Sequence, residues 1–195
     1  ILSHNPILTA INMESPLTVG NRELCFTADV TGLQTFYEDY KNNHVPLCTM
    51  SQWGWHVKPD EGKYYSLEDV LMTEYDCNGR KVYYAVEKQA GNEGIYDWLR
   101  ENPHRLNLSR ISFYWKDKEI NPKDITCINQ ELNLYEGVIR SRFYLHGEEV
   151  HVETICHHTK DILGFKIDSS LLKSGDLTVR IEFPYGSPNI SASNW

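Results

Sequence analysis

Val138-Ile139-Arg140-Ser141-Arg142-Phe143-Tyr144-Leu145, then His146-Gly147-Glu148, then Glu149-Val150-His151-Val152-Glu153-Thr154-Ile155-Cys156 is the stretch that decides how this chain folds. In the last run Val150, Val152, Thr154 and Cys156 alternate with Glu149, His151, Glu153 and Ile155. That period of two belongs to a strand with one face turned inward. Two such runs across a short glycine-containing break read as a β-hairpin.

Working outward, residues 106–115, 130–134, 162–167 and 177–183 are further aliphatic and aromatic runs, so the chain from about residue 106 onward reads as a β-meander. Upstream, Leu24, Phe26, Ala28 and Val30 alternate with Glu23, Cys25, Thr27 and Asp29 as another half-buried strand. Helix signals are few. Asn92 followed by Ile95, Tyr96, Trp98 and Leu99 gives a cap and an apolar stripe that Pro103 stops, and Ser66-Leu67-Glu68-Asp69 reads as a capping box. The expected fold is mainly β: an antiparallel β-supersandwich with one or two short helices, in a single domain over residues 1–195. Residues 32–94 are the least periodic part and carry many aromatic rings, so they are expected to form a long covering loop.

The 195 residues carry a formal net charge of −8 and are 12% aromatic. An acidic chain is repelled by phosphate backbones, which argues against a nucleic-acid partner. No apolar run approaches the roughly 20 residues of a membrane span, so no membrane partner is expected. The five cysteines, Cys25, Cys48, Cys77, Cys127 and Cys156, are scattered without a CxxC pair and are expected to be small buried hydrophobes. The chain starts at Ile1 and stops at Trp195 just after a proline-rich turn, and it is expected to be part of a longer polypeptide.

Met50-Ser51-Gln52-Trp53-Gly54-Trp55-His56 is the most suggestive chemical stretch. In an extended chain Trp53 and Trp55 point the same way across a small glycine, and two indoles side by side form a platform for the CH faces of a sugar. Gln52 and His56 are placed to bond its hydroxyls. The plainer alternative is that both indoles fill the space between two sheets. His151 and Glu153, with His157, His158 and His146 nearby, have the residue types for zinc, but they occupy the polar half of a strand and no metal or other cofactor is expected. Asp29, Glu38 and Asp39 are conceivable glycosidase carboxylates, although a solvent-facing role is the simpler reading. GxSxG, HExxH, P-loop and GxGxxG signatures are all missing, so no catalytic residue is assigned. Asn107-Leu108-Ser109 and Asn189-Ile190-Ser191 match the glycosylation pattern at a frequency chance supplies.

The run from Ser15 to Asn21 into Phe26 to Thr35, the later Leu132 to Val138 and Phe143 to Glu148, and the stretches Glu153 to His157 and Asp161 to Leu163 together resemble a known pattern. It is that of the galactose mutarotase-like β-supersandwich that precedes an (α/α)6 barrel in six-hairpin glycosidases. The resemblance implies a secreted or periplasmic protein of the Bacteroidetes type, whose catalytic acid and base reside in a C-terminal helical barrel. It therefore implies a non-catalytic N-terminal domain of a glycoside hydrolase, inactive by itself. Its partners would be carbohydrate and its own catalytic domain, to whose sugar site the Met50 to His56 loop would contribute. Exposed apolar surface would be the mark of such docking. Two alternatives stay open: an independent carbohydrate-binding module using Trp53 and Trp55, and a mutarotase-like isomerase drafting His56 or His151 with a glutamate.

Overall fold

A computed structural model describes residues 4–57, 62, 65–101, 103–187 and 192–195. In chain order it contains β1 (Ile7–Leu8), β2 (Leu17–Gly20), β3 (Leu24–Ala28), α1 (Tyr37–Asn42), β4 (Thr49–Ser51) and β5 (Trp55–His56). Then come β6 (Met72–Cys77), β7 (Arg80–Ala85), α2 (Glu93–Glu101), β8 (His104–Arg105), β9 (Arg110–Trp115), β10 (Lys118–Glu119), β11 (Ile125–Asn133), β12 (Val138–Leu145) and β13 (Glu148–Cys156). The chain continues through β14 (Leu163–Asp168), α3 (Ser170–Ser174), β15 (Leu177–Glu182), β16 (Tyr185–Gly186) and β17 (Ser193–Asn194). The fold is mainly β with antiparallel pairing and a few short helices, as the alternation predicts. Contacts divide the chain into two compact units: residues 1–54 with 105–195, and residues 55–104.

The first unit is a two-layer arrangement. One layer is a five-stranded sheet in the order β1-β11-β12-β13-β14. Its inner face follows the sequence alternation. Ile139 pairs with Thr154, Ser141 with Val152 and Phe143 with Val150, and all six side chains are buried. The turn between β12 and β13 is His146-Gly147, both with positive φ (50° and 88°), which is the two-residue geometry that matches strand twist. The meander holds from β11 to β14. β9 and β15 depart from it, pairing with each other in the facing layer.

That facing layer holds the β2-β3-β4 sheet and the β10-β9-β15 sheet. One side chain joins them. Gln34 Nε2 donates to Thr27 O (3.1 Å) and Thr49 Oγ1 (3.3 Å), while its Oε1 accepts from Ile111 N (3.2 Å). A buried amide thus imitates a strand, satisfying main-chain groups that would otherwise be orphaned. Between the layers lie Leu17, Phe26, Val30, Leu33, Phe113, Phe143 and Val152, each less than a tenth exposed. Fully burying side chains of this size contributes about 1.5–3 kcal/mol apiece. The layers are also tied by polar bonds: Gln130 Nε2 donates to Asp29 O (2.6 Å) and to Ser141 Oγ (2.8 Å), and Thr154 Oγ1 donates to Gly32 O (2.6 Å).

Several expectations need correction. Asp29 does not face solvent: it is fully buried, accepting from Thr31 N (2.8 Å), Thr31 Oγ1 (2.5 Å) and Phe36 N (2.7 Å), because its carboxylate closes the turn that follows β3. Glu38 and Asp39 are exposed at the start of α1. Cys25, Cys48 and Cys156 are half-buried, but Cys77 and Cys127 are exposed, Cys127 at a bulge in β11 where φ is 52°. Ser169 Oγ caps the short helix α3 through Leu171 N (3.3 Å).

The second unit, residues 55–104, is not a continuous irregular loop. It contains the β6-β7 hairpin, closed by Asn78-Gly79 with φ of 56° and 81°, and the helix α2 before Pro103. The capping box at Ser66 is present: Ser66 Oγ accepts from Glu68 N (3.3 Å) and Asp69 Oδ2 from Ser66 N (2.6 Å). Ile95, Asn92 and His104 are its buried residues among those described, and almost every hairpin position is exposed.

Candidate functional site

The Met50 to His56 stretch begins as β4, which pairs with β3 (Leu24 opposite Ser51, Cys25 opposite Met50) and so fixes where Gln52 and Trp53 emerge. Gln52 N donates to Glu23 O (2.8 Å), and Gln52 O accepts from the Arg105 guanidinium. Gly54 is buried. A Cβ there would stand 2.8 Å from Leu108 Cδ2 and 2.9 Å from Ser51 Oγ, so any other residue would have to push these side-chain tips aside. Its amide donates to Ser51 Oγ at 2.9 Å.

This tight turn leaves the Trp53 side chain outside. It is 60% exposed, yet it is not free: its indole Nε1–H donates to Asp161 Oδ2 at 2.8 Å. Asp161 is itself placed by the β2–β3 turn. Asn21 Oδ1 accepts from Glu23 N (2.9 Å) and Leu24 N (2.8 Å), and its Nδ2 donates to His157 O (2.8 Å) and Lys160 O (2.9 Å). One asparagine therefore joins the turn that positions Gln52 to the loop that carries Asp161. Beside Gln52 lies an open groove of about 310 Å³ lined by Gly20, Arg22, Glu23, Cys25, Met50 and Arg105 among others. An exposed indole held by its N–H offers an apolar face, and the groove beside Gln52 offers guanidinium, carboxylate and amide groups, the kinds of contact a sugar uses.

The structure divides the four sequence-derived candidates. Gln52 and Trp53 belong to the first unit, with Trp53 outside the core; Trp55 (54% exposed) and His56 belong to the second. There His56 stands beside His104, ring centroids 5.4 Å apart. The plainer alternative, that Trp53 and Trp55 are core residues, is contradicted by their exposure.

The outer face of the five-stranded sheet holds a second groove, of about 450 Å³, lined by Arg140, Arg142, His151, Glu153 and Lys166 among others. Its charges are spent on one another: Arg140 meets Glu136 (2.5 Å) and Glu153 (3.5 Å), Lys166 meets Glu153 (3.8 Å), and His151 Nε2 lies 3.1 Å from Glu149. These are solvent-exposed pairs of small net worth. Among the described residues no three His, Cys, Asp or Glu side chains converge as metal ligands, and His157 and His158 stack on each other (4.7 Å). Asn107 is 3% exposed and its Oδ1 accepts from Thr49 N (2.9 Å), a structural role that withholds it from glycosylation; Asn189 lies outside the described residues. No helix among the described residues is long and apolar enough to cross a membrane.

No protein-family model, no curated protein and no solved structure matches this chain.

Proposed function

We propose that this chain is a non-catalytic β-sandwich domain of a carbohydrate-active enzyme, and that the Gln52-Trp53 loop is its sugar-contacting element. The observation that carries this reading is Trp53, an indole 60% open to solvent whose N–H is nonetheless fixed by Asp161. Holding the ring by its N–H reduces the entropy lost when a flat ligand stacks on it. The proposed partner domain is a C-terminal (α/α)6 barrel supplying the catalytic acid and base, in a secreted or periplasmic glycoside hydrolase. The galactose mutarotase-like resemblance supports this only at the level of strand and turn patterns.

Calorimetric titration of the chain with a panel of neutral oligosaccharides tests the reading. Binding in the micromolar to millimolar range is expected. Trp53→Ala should weaken it roughly ten- to a hundredfold, since loss of one buried ring face costs about 1.5–3 kcal/mol, and Asp161→Asn should weaken it severalfold while leaving the fold intact. Absence of binding to the whole panel, or equal binding by Trp53→Ala, would defeat the proposal. Binding by the chain alone is common to this reading and to its independent-module variant. The isomerase alternative drafts His56 or His151 with a glutamate; His151 Nε2 lies 3.1 Å from Glu149 on an open face, and His56 stands beside His104.

A further inference from the structure

β15 is an edge strand whose polarity runs against its surroundings. Val179 and Ile181 lie on the same side of the sheet as their cross-strand partners Phe113 and Ile111, which are core residues. Yet exposure climbs along that side from Leu177 (1%) through Val179 (39%) and Ile181 (58%) to Phe183 (77%). The inner, apolar face of the layer thus runs past the residues that cover it. Charged residues occupy the other side, where Arg180 stacks on Tyr114 (3.8 Å) and Glu182 accepts from Arg110 (2.7 Å).

The main chain of this edge is open as well. Ile111 N and O bond Gln34, and Phe113 N bonds Thr35 Oγ1 (3.3 Å), so these residues turn their main-chain groups away from β15. β9 must then bond β15 through Arg110, Ser112 and Tyr114, which face Glu182, Arg180 and Thr178. By alternation Val179 and Ile181 point N–H and C=O outward, and among the described residues no strand pairs with that side. A long open apolar edge of this kind is a template for another strand.

We infer that this edge is a homodimer interface in which two copies of β15 pair antiparallel about a two-fold axis through Ile181. The sequence of the strand is self-complementary in that register and no other of the same parity. Ile181 meets Ile181 of the second copy, Val179 meets Phe183, and Arg180 meets Glu182 twice, placing opposite charges across from each other on the polar side. Centring on Val179 or Phe183 loses the charge match. Pro184, which has no N–H to give, falls on the side facing β9 and leaves the new ladder uninterrupted. A helical neighbour would leave the open N–H and C=O groups without strand partners, whereas a second β15 pairs them and sets the apolar side chains of the two copies side by side across the ladder. The inference does not depend on the glycan reading.

Sedimentation equilibrium of the purified chain over a wide concentration range should show a reversible monomer–dimer equilibrium. Ile181→Lys, at an exposed position, sets two ammonium groups against each other and should shift the midpoint at least about tenfold while the far-UV spectrum is unchanged. Oxidised Ile181→Cys should form a covalent dimer beyond the wild-type background from the native thiols, because paired Cα atoms lie about 5.5 Å apart in such a ladder, within disulfide reach. Val179→Cys should not, since its counterpart lies four residues away along the partner strand. A chain that stays monomeric throughout, or that cross-links through Val179→Cys rather than Ile181→Cys, would overturn the inference; so would binding of a different strand at this edge with no self-association.

Discussion

Asp29 is an ionisable group placed where ionisation is costly. Complete burial pushes its carboxyl up to about 6 from the ordinary 3.8, and the donors from Phe36 and Thr31 offset only part of that. The native state therefore holds this proton more tightly than the unfolded chain does. The stability it contributes is complete below about pH 4 and is lost as the pH rises through about 6, an effect of up to about 3 kcal/mol. Asp29→Asn removes the titration but turns an N–H donor toward Phe36 N, so the variant is expected to be less stable at pH 4 and to close much of that gap by pH 7. Urea denaturation of both proteins across this range checks the sign. Parallel stability profiles would mean that the carboxyl does not titrate there. The alternation of residues 23–30 places Asp29 on the outward side, and while its bonds to Thr31 and Phe36 are local, its burial is a tertiary effect the sequence does not mark. The same holds for the Asp161 that holds Trp53, since 108 residues separate the two.

Among elements, legibility followed burial. The β12-β13 hairpin shows in the sequence because one face of each strand is packed, which leaves a clean period of two, and because His146-Gly147 suits a turn needing positive φ twice. The β6-β7 hairpin has an equally apt Asn78-Gly79 turn, but its strands lack a buried face, so no apolar period marks them. The β9-β10 turn at Lys116-Asp117 has positive φ at both positions without a glycine and left no signal. At Gly147 the backbone alone decides: φ is 88° and a Cβ would meet nothing within 4 Å. Gly147→Ala is therefore expected to cost about 1–2 kcal/mol through conformation only. The denaturation midpoint should fall with an unchanged m-value; an unaltered midpoint would show that the turn relaxes to another type.

At the scale of the molecule, the buried hydrophobic cluster among the described residues is drawn from the first unit. The two ends that border the second unit meet within the first, where Leu106 N donates to Gly54 O at 2.7 Å. Loop-closure entropy changes slowly with length, so replacing residues 55–104 by a few glycines and serines does not strain this junction. The second unit buries little apolar surface, and an isolated two-stranded hairpin is marginal in water. A chain of residues 1–54 joined to 105–195 is thus expected to fold cooperatively, with a melting temperature within several degrees of the full protein and the same sheet signature by circular dichroism. Its glycan affinity then separates the candidate residues. Retained binding assigns recognition to Trp53 and Gln52, whereas a large loss in a folded excision protein assigns it to Trp55 and His56. An excised chain that populates only an expanded, dye-binding state would show that the sandwich draws stability from residues 55–104 that the location of its core does not account for.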